Sequence, residues 1–225
     1  MMIGARTAAW AKRGCQSSFV GVEYITRGLL NNSTEPESNG YIELPYLITP
    51  TTVVECIARR PSWMTDSNNG FATIFQTYPM REVEYSRPGI GFRFGRYNKG
   101  KAVFSYSNGI TNPLTFTSGF QEFRTFTYDS SGIFSVEGIG TKDFSVERNP
   151  LYESKFIIGT SPDGSTRSGV SPIDISSYKI SDDTGAIFDF EPCRNQSNEP
   201  FLHDLISGEY YGLTGGYGSV GQDVA

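Results

Sequence analysis

The chain has 225 residues and a mass of 24.9 kDa, enough for one large domain with a real core, so two full domains are not required. Its 16 Phe, 13 Tyr and 25 Gly, with only 19% charged residues, match short aromatic strands joined by glycine turns and leave little room for long helices. A net charge of -5 and a pI near 5.0 exclude a broad electrostatic hold on nucleic acid, which needs a basic surface, and the apolar stretches are too short to cross a bilayer as helices.

Residues Met1 to Asn39 read as an N-terminal arm and linker, and residues 40–225 as the compact domain. Ala5 to Lys12 (ARTAAWAK) is alanine-rich and long enough for a turn or two of helix, which needs a partner surface to persist. Trp10 among those alanines makes an apolar patch suited to a contact. Basic residues near the start have no apolar segment behind them, so no secretory signal is expected. The string NNSTEPESN, 31–39, is polar, contains Pro36 and has no periodicity, which marks a linker.

Strand signals then recur at short intervals. The first is Tyr41 to Ile48. In Thr51 to Arg60 the small apolar set Val54, Cys56 and Ala58 alternates with Val53, Glu55, Ile57 and Arg59 and is expected to face the core, with Pro61 ending the strand. A polar excursion covers Ser62 to Gly70, Phe71 to Thr77 reads as a buried strand, and Tyr78 to Gly89, with charges of both signs and two prolines, as an exposed loop. Ile90 to Gly95 and Lys101 to Ser107 flank an Asn-Lys-Gly turn and predict a hairpin. The central hairpin is Glu122 to Gly138: Tyr128-Asp129-Ser130-Ser131-Gly132 turns between two arms, and Phe126 and Tyr128 share a parity opposite to Thr125 and Thr127. Phe156 to Gly159 is a short continuous apolar run of the kind found mid-sandwich, and Pro162 to Ser171 a glycine- and serine-rich loop. Ile175 to Ser181 and Ala186 to Glu191 close the series around Asp182-Asp183-Thr184-Gly185.

Taken in order, GYIEL, FRTFTYDSSGIFSVEG, FIIGT, SSYKISDDTGAIFDFEPCRN and FLHDLISGEYYG resemble the laminin-G-like or concanavalin-A-like jelly-roll domains, most closely those of phage virion proteins and of surface proteins of gut bacteria. The resemblance spans Gly40 to Gly221. It implies an all-β fold of two antiparallel sheets face to face, with SYKISD beside the first strands and the FLHDLISGEYY tail along an edge. The leader GARTAAWAKRG is similar to short leaders on phage and prophage proteins that carry such domains.

The search for chemistry returns no catalytic residues. Hydrolases of this superfamily carry Glu, Asp and Glu at alternate positions of one strand, which puts all three carboxylates on one face. The nearest pair this reading finds is Glu82 and Glu84, in a proline-flanked charged loop without a third member. A triad needs a base, and His203 is the one imidazole in the chain. Asp204 beside it reads as structural, bonding turn amides. Cys15, Cys56 and Cys193 show no metal-ligand spacing; Cys56 reads as a small buried residue, and a Cys56–Cys193 bridge is left open. SPDGSTRSG and GLTGGYGSVG lack the spacing of a phosphate cradle. The Asp66 to Asn69 and Asp182-Asp183 loops offer oxygen ligands without a calcium motif, so no metal and no cofactor is assigned and no enzymatic activity is expected.

Sugar recognition needs only an aromatic plate and a few planar polar groups. The loops supply Trp63 with Asp66, Asn68 and Asn69; Tyr78 with Arg81 and Tyr85; and Tyr97 with Asn98. The expectation is a non-catalytic phage virion structural or appendage protein, assembled in the host cytoplasm, that displays a jelly roll and binds host or mucosal glycans. Its arm would join other virion proteins or sister copies in a homo-oligomer, with no nucleic acid or membrane partner. The alternative is a lectin-like module on a bacterial cell surface, which the absence of a secretory signal disfavours.

Overall fold

The computed structural model describes residues 18–27, 40–61, 72–78, 90–94, 101–106, 109–115, 121–130, 132–143, 155–159, 173–214 and 218–224. Among these residues there is no helix, and the strands form two antiparallel sheets. The smaller sheet runs β3 (Ile42–Leu47), β12 (Lys155–Ile158), β5 (Ala72–Tyr78), β6 (Ile90–Phe94), β7 (Lys101–Tyr106), β8 (Gly109–Thr115). The larger runs β11 (Gly140–Asp143), β10 (Ile133–Val136), β9 (Arg124–Asp129), β4 (Val53–Arg59), β13 (Ile173–Asp182), β14 (Gly185–Asn195), β15 (Pro200–Asp204), β16 (Tyr210–Gly212). Three short strands join it out of line: β1 (Phe19–Gly21), β2 (Ile25–Arg27) and β17 (Gly218–Val220). The chain changes sheets between β2 and β3, between β3 and β4, between β4 and β5, between β8 and β9, and on either side of β12, which makes the molecule a jelly-roll sandwich.

Alternation builds the core. Val54, Cys56 and Ala58 of β4 are at most 1% exposed, as their parity predicts, and Phe126 and Tyr128 of β9 are buried opposite them. Phe134 and Val136 continue the layer on β10. The smaller sheet answers with Ile42, Leu44, Phe75, Phe156 and Ile158, all 2% exposed or less. Rings from the two sheets meet directly: Phe75 lies 5.5 Å from Tyr128, Phe156 6.2 Å from Tyr178 and Tyr46 6.2 Å from Phe188, between ring centroids. Each fully buried large apolar side chain contributes about 1.5–3 kcal/mol, so this aromatic layer dominates the favourable side of folding.

The central hairpin forms as read, with Gly132 at φ 103° and its N–H bonded to the Asp129 carbonyl, a backbone state that a side chain opposes. The tail strands β15 and β16 lie at one end of the larger sheet, and β13 lies beside β4. Cys56 and Cys193 are both buried and free of disulfide.

Three elements differ from the sequence reading. Strand β8 went unread because Asn112 and Pro113 interrupt its apolar pattern; it is the last strand of the smaller sheet in this order, and its register against β7 slips between Ala102 and Phe104, so Pro113 falls at a bulge. Tyr78 ends β5 opposite Lys155 instead of opening a loop. The third difference concerns the predicted arm. Residues Phe19–Gly21 and Ile25–Arg27 are strands of the larger sheet, with Val22 and Ile25 at 2% and 0% exposure. Beyond the Tyr178–Phe190 pair, β13 and β14 separate into a fork; β1 pairs with β14, β2 pairs with β13, and β17 covers the other side of β2.

Candidate functional site

Strand alternation decides which side chains of the larger sheet leave the core. Phe188 and Phe190 of β14 point inward, at 6% and 0% exposure, so Asp189 and Glu191 project from the outer face. Register then assigns their neighbours: Asp189 lies opposite Lys179 and Glu191 opposite His203. Both pairs close, with Lys179 Nζ 3.1 Å from Asp189 Oδ2 and His203 Nδ1 3.0 Å from Glu191 Oε1. The first is open to solvent, whereas Glu191 and His203 are each 5% exposed. The hydrogen bond between His203 Nδ1 and the Glu191 carboxylate fixes the orientation of the ring.

The Lys179–Asp189 pair belongs to a longer row. Ser135, Thr127, Glu55, Lys179 and Asp189 stand opposite one another on β10, β9, β4, β13 and β14. A line of hydroxyls and charges therefore crosses five strands, about 19 Å at the usual interstrand spacing. Two residues further along β14, level with Glu191, stands a column of rings. Tyr210, opposite His203, stacks on the imidazole with centroids 4.4 Å apart and planes at 13°. Phe19 stacks on Tyr210 at 3.9 Å and meets Phe201 edge-on at 5.1 Å.

Beside Phe201 opens a cleft of about 320 Å³, lined by Asn198, Glu199, Pro200, Leu213 and the backbones of Gly212 and Gly218. A Cβ on Gly212 would lie 2.8 Å from the Phe201 ring, so glycine lets β16 approach that side chain. The turn that bears Glu199 is shaped by Asn195, whose Oδ1 accepts from the N–H groups of Ser197 and Glu199 while its amide holds Glu199 Oε2 at 2.6 Å. Tyr211 faces the core edge-on to Phe188 and Phe190; burial first, and then its hydrogen bond to Glu209, push its hydroxyl up to about 12. Asp204 holds the β15–β16 connection: its carboxylate accepts from the N–H groups of Asp189, Ile206 and Ser207 and from the Ser207 hydroxyl. That is the structural role its sequence suggests.

The loop residues expected to bind ligand, Trp63, Asp66, Asn68, Asn69, Arg81, Tyr85, Tyr97 and Asn98, lie outside the described residues, as do Glu82 and Glu84. Only the backbone of Tyr78 is described, in β5. Asp182 and Asp183 serve their turn: Asp182 Oδ1 accepts from the N–H and hydroxyl of Thr184, and Asp183 Oδ1 from the Thr51 hydroxyl. Sequence reasoning missed the outer face of β14. Its signal was present in Asp189-Phe190-Glu191, two carboxylates at alternate positions of a recognised strand, which hold two places of the triplet sought; the remaining place, 187, is Ile. The pairing of Glu191 with His203 had no local signal.

No family model matches the sequence, and no curated protein matches it. Among solved structures the chain is similar to a prokaryotic β-1,3-1,4-glucanase (lichenase) derived from a mouse hindgut metagenome, at 12% identity and a TM-score of 0.43, over 74% of this chain and 80% of that one. The expectation that the chain is not an enzyme is corrected here. The lichenase structure it is similar to is an enzyme. The outer face of β14 carries a same-face carboxylate pair, Asp189 and Glu191, without the third member of the triplet, and His203 Nδ1 lies 3.0 Å from Glu191 Oε1.

Proposed function

We propose that this chain is a carbohydrate-recognising jelly roll displayed on a phage particle, and that an extended glycan lies across the outer face of the larger sheet, along the polar row, and ends on Phe19, the outermost ring of the Phe19–Tyr210–His203 stack. The observation that carries this is the meeting of a five-strand line of hydroxyls and charges with a ring stack. A pyranose needs that combination, since its axial C–H face packs on an aromatic plane while its hydroxyls bond planar polar groups. The 320 Å³ cleft beside Phe201 falls in the lower part of the range of small-ligand sites, about 300–1,000 Å³, and continues the track beyond the rings. The particle setting is supported by sequence resemblance: the order of the segments from GYIEL to FLHDLISGEYYG and the leader GARTAAWAKRG resemble those of phage virion proteins. In that setting the particle assembles in the host cytoplasm, residues ahead of β1 join it to sister copies or other virion proteins, and many weak sites add through copy number.

The test is a glycan array probed with the full chain, followed by titration of any hit and analysis of the bound sugar for cleavage. Phe19→Ala and Asp189→Asn are expected to weaken binding at least about ten-fold, the loss of the outermost ring platform or of a charged hydrogen bond. A blank array for the full chain, with folding intact, overturns the recognition reading. Cleavage that disappears in Glu191→Gln would assign the Glu191–His203 pair to catalysis, a reading that its buried acid–base geometry favours.

A further inference from the structure

The N-terminal segment 18–27 brings a ring into the site just described. Phe19 is the outermost member of the Phe19–Tyr210–His203 stack, yet it belongs to a segment that is not continuous in sequence with any other part of that face. The segment sits in the β13–β14 fork through backbone bonds on both flanks: Val22 N–H donates to the Pro192 carbonyl at 3.1 Å, Glu23 N–H to that of Gln222 at 2.9 Å, and Gly221 N–H to that of Tyr24 at 2.8 Å. Its far end is fastened by a buried polar latch. The Thr26 hydroxyl donates to Asp174 Oδ1 at 2.8 Å, and Arg59 Nε donates to Asp174 Oδ2 at 2.9 Å. The Arg59 guanidinium in turn lies 4.8 Å from the centroid of Tyr24 and 4.2 Å from that of Phe123. One segment thus spans from a latch on β13 and β4 to the glycan-facing rings.

We propose that residues 18–27 are a site-completing strap: seating of the strap forms the ring platform, and glycan bound there holds the strap in place. This rests on the glycan-recognition reading for its ligand, but the mechanical link from latch to rings does not. Coupling of this kind is reciprocal, so whatever loosens the strap weakens binding by the factor by which ligand tightens the strap. Since the strap is the segment through which residues 1–17 are attached, anchorage through that end and ligand binding act on one element.

The sequence offers a reversible lock for testing this. Gly21 stands directly opposite Cys193, and a Cβ at Gly21 meets nothing within 4 Å; Cα atoms of facing antiparallel residues fall in the range a disulfide spans. Gly21→Cys therefore gives a strap that oxidation staples to β14 and reduction frees. The loosened variant is Thr26→Val, which keeps the shape of the side chain and removes the donor to Asp174, with Ile25→Ala as a second variant that removes a core anchor of the same strap. Because His203 is the one histidine in the chain, its ring proton resonances report on the stack without ambiguity. Hydrogen exchange of residues 18–27 reports on seating.

In the loosened variants the strap should exchange faster, the His203 resonances should move toward those of an unstacked ring, and affinity for the best array glycan should fall about five-fold or more, the size of an ordinary coupling. Oxidising the staple in the same variants should restore all three, and reducing it should undo the rescue. If the strap is released, yet the His203 resonances and the affinity both stay at their original values, the coupling is wrong. If no glycan binds, the recognition reading fails by itself, and the His203 resonances still decide whether latch and rings are linked.

Discussion

Arg59 donates from Nε to Asp174 at 2.9 Å, and Asp174 is 2% exposed. The pair ties β4 to the opening residues of β13, with the Thr26 hydroxyl as second donor. Burial pushes the Asp174 carboxyl above its ordinary value of 3.8, and the bonds from Arg59 and Thr26 pull the other way without offsetting it. A carboxyl raised on folding binds its proton more readily when folded, so its contribution to stability is full below about 3.8 and is lost as pH rises through the raised value. Urea titrations over a pH series should show Asp174→Asn gaining on the native chain across that window. Parallel curves would remove Asp174 as their source. Asp223, held below its ordinary range by Arg194, has the opposite sign, and its exposed position makes it the weaker partner in the balance.

Removing only the guanidinium should be far more costly than neutralising the acid. Arg59→Met leaves the Asp174 charge buried with a single hydroxyl donor, and breaking a buried pair from one side costs about 3–5 kcal/mol. Equilibrium unfolding of Arg59→Met against Arg59→Met/Asp174→Asn measures this. The double variant should recover most of the loss, and no recovery would mean that the guanidinium acts through its packing on Tyr24 and Phe123.

Tyr211 gives an alkaline counterpart. Its hydroxyl is raised from 10 to about 12, so the folded state favours the neutral phenol, and stability is lost as pH climbs from about 10 through about 12. Tyr211→Phe removes the proton and the bond to Glu209, and should flatten the alkaline limb of the melting temperature. Tyrosinate absorbance should show one fewer late-titrating phenol.

Asp204→Ala should destabilise the chain by about 3 kcal/mol or more, because three backbone N–H groups lose a charged acceptor at a site 1% exposed. The loss should fall on the β15–β16 connection first, so hydrogen exchange at Ile206 and Ser207 ought to accelerate more than exchange at Val54 or Phe126. Uniform acceleration would assign Asp204 to global stability instead.

Truncation separates the strap from the residues ahead of it. Deleting 1–17 leaves Val22, Ile25 and Thr26 in place, and the melting temperature should hold. Deleting 1–27 removes two buried aliphatic side chains worth about 1.5–3 kcal/mol each and unpairs β13, β14 and β17 along the fork. That is a large share of a typical stability of about 5–15 kcal/mol, and unfolding at ambient temperature is expected. A fully stable 28–225 fragment would show the strap to be dispensable.

What the sequence by itself determined is the set of strands whose instructions are local. Val54, Cys56 and Ala58 announce a buried face because side chains alternate every two residues, and the Tyr128 to Gly132 cluster announces its turn because Gly132 takes a backbone state that other residues resist. The same local rule makes Asp189 and Glu191 legible as a same-face pair, although the reading passed over them. Tertiary structure alone decided which strands share an edge. The fork that takes residues 19–27 exists because β13 and β14 part beyond Tyr178 and Phe190, and the Phe19–Tyr210 stack joins positions at opposite ends of the chain. The Glu191–His203 contact depends on the turn 195–199 setting the register of β14 against β15. Pairing of this kind is a property of register between distant segments, and a one-residue slip would turn each of these side chains to the other face, so no spacing within a single strand encodes it.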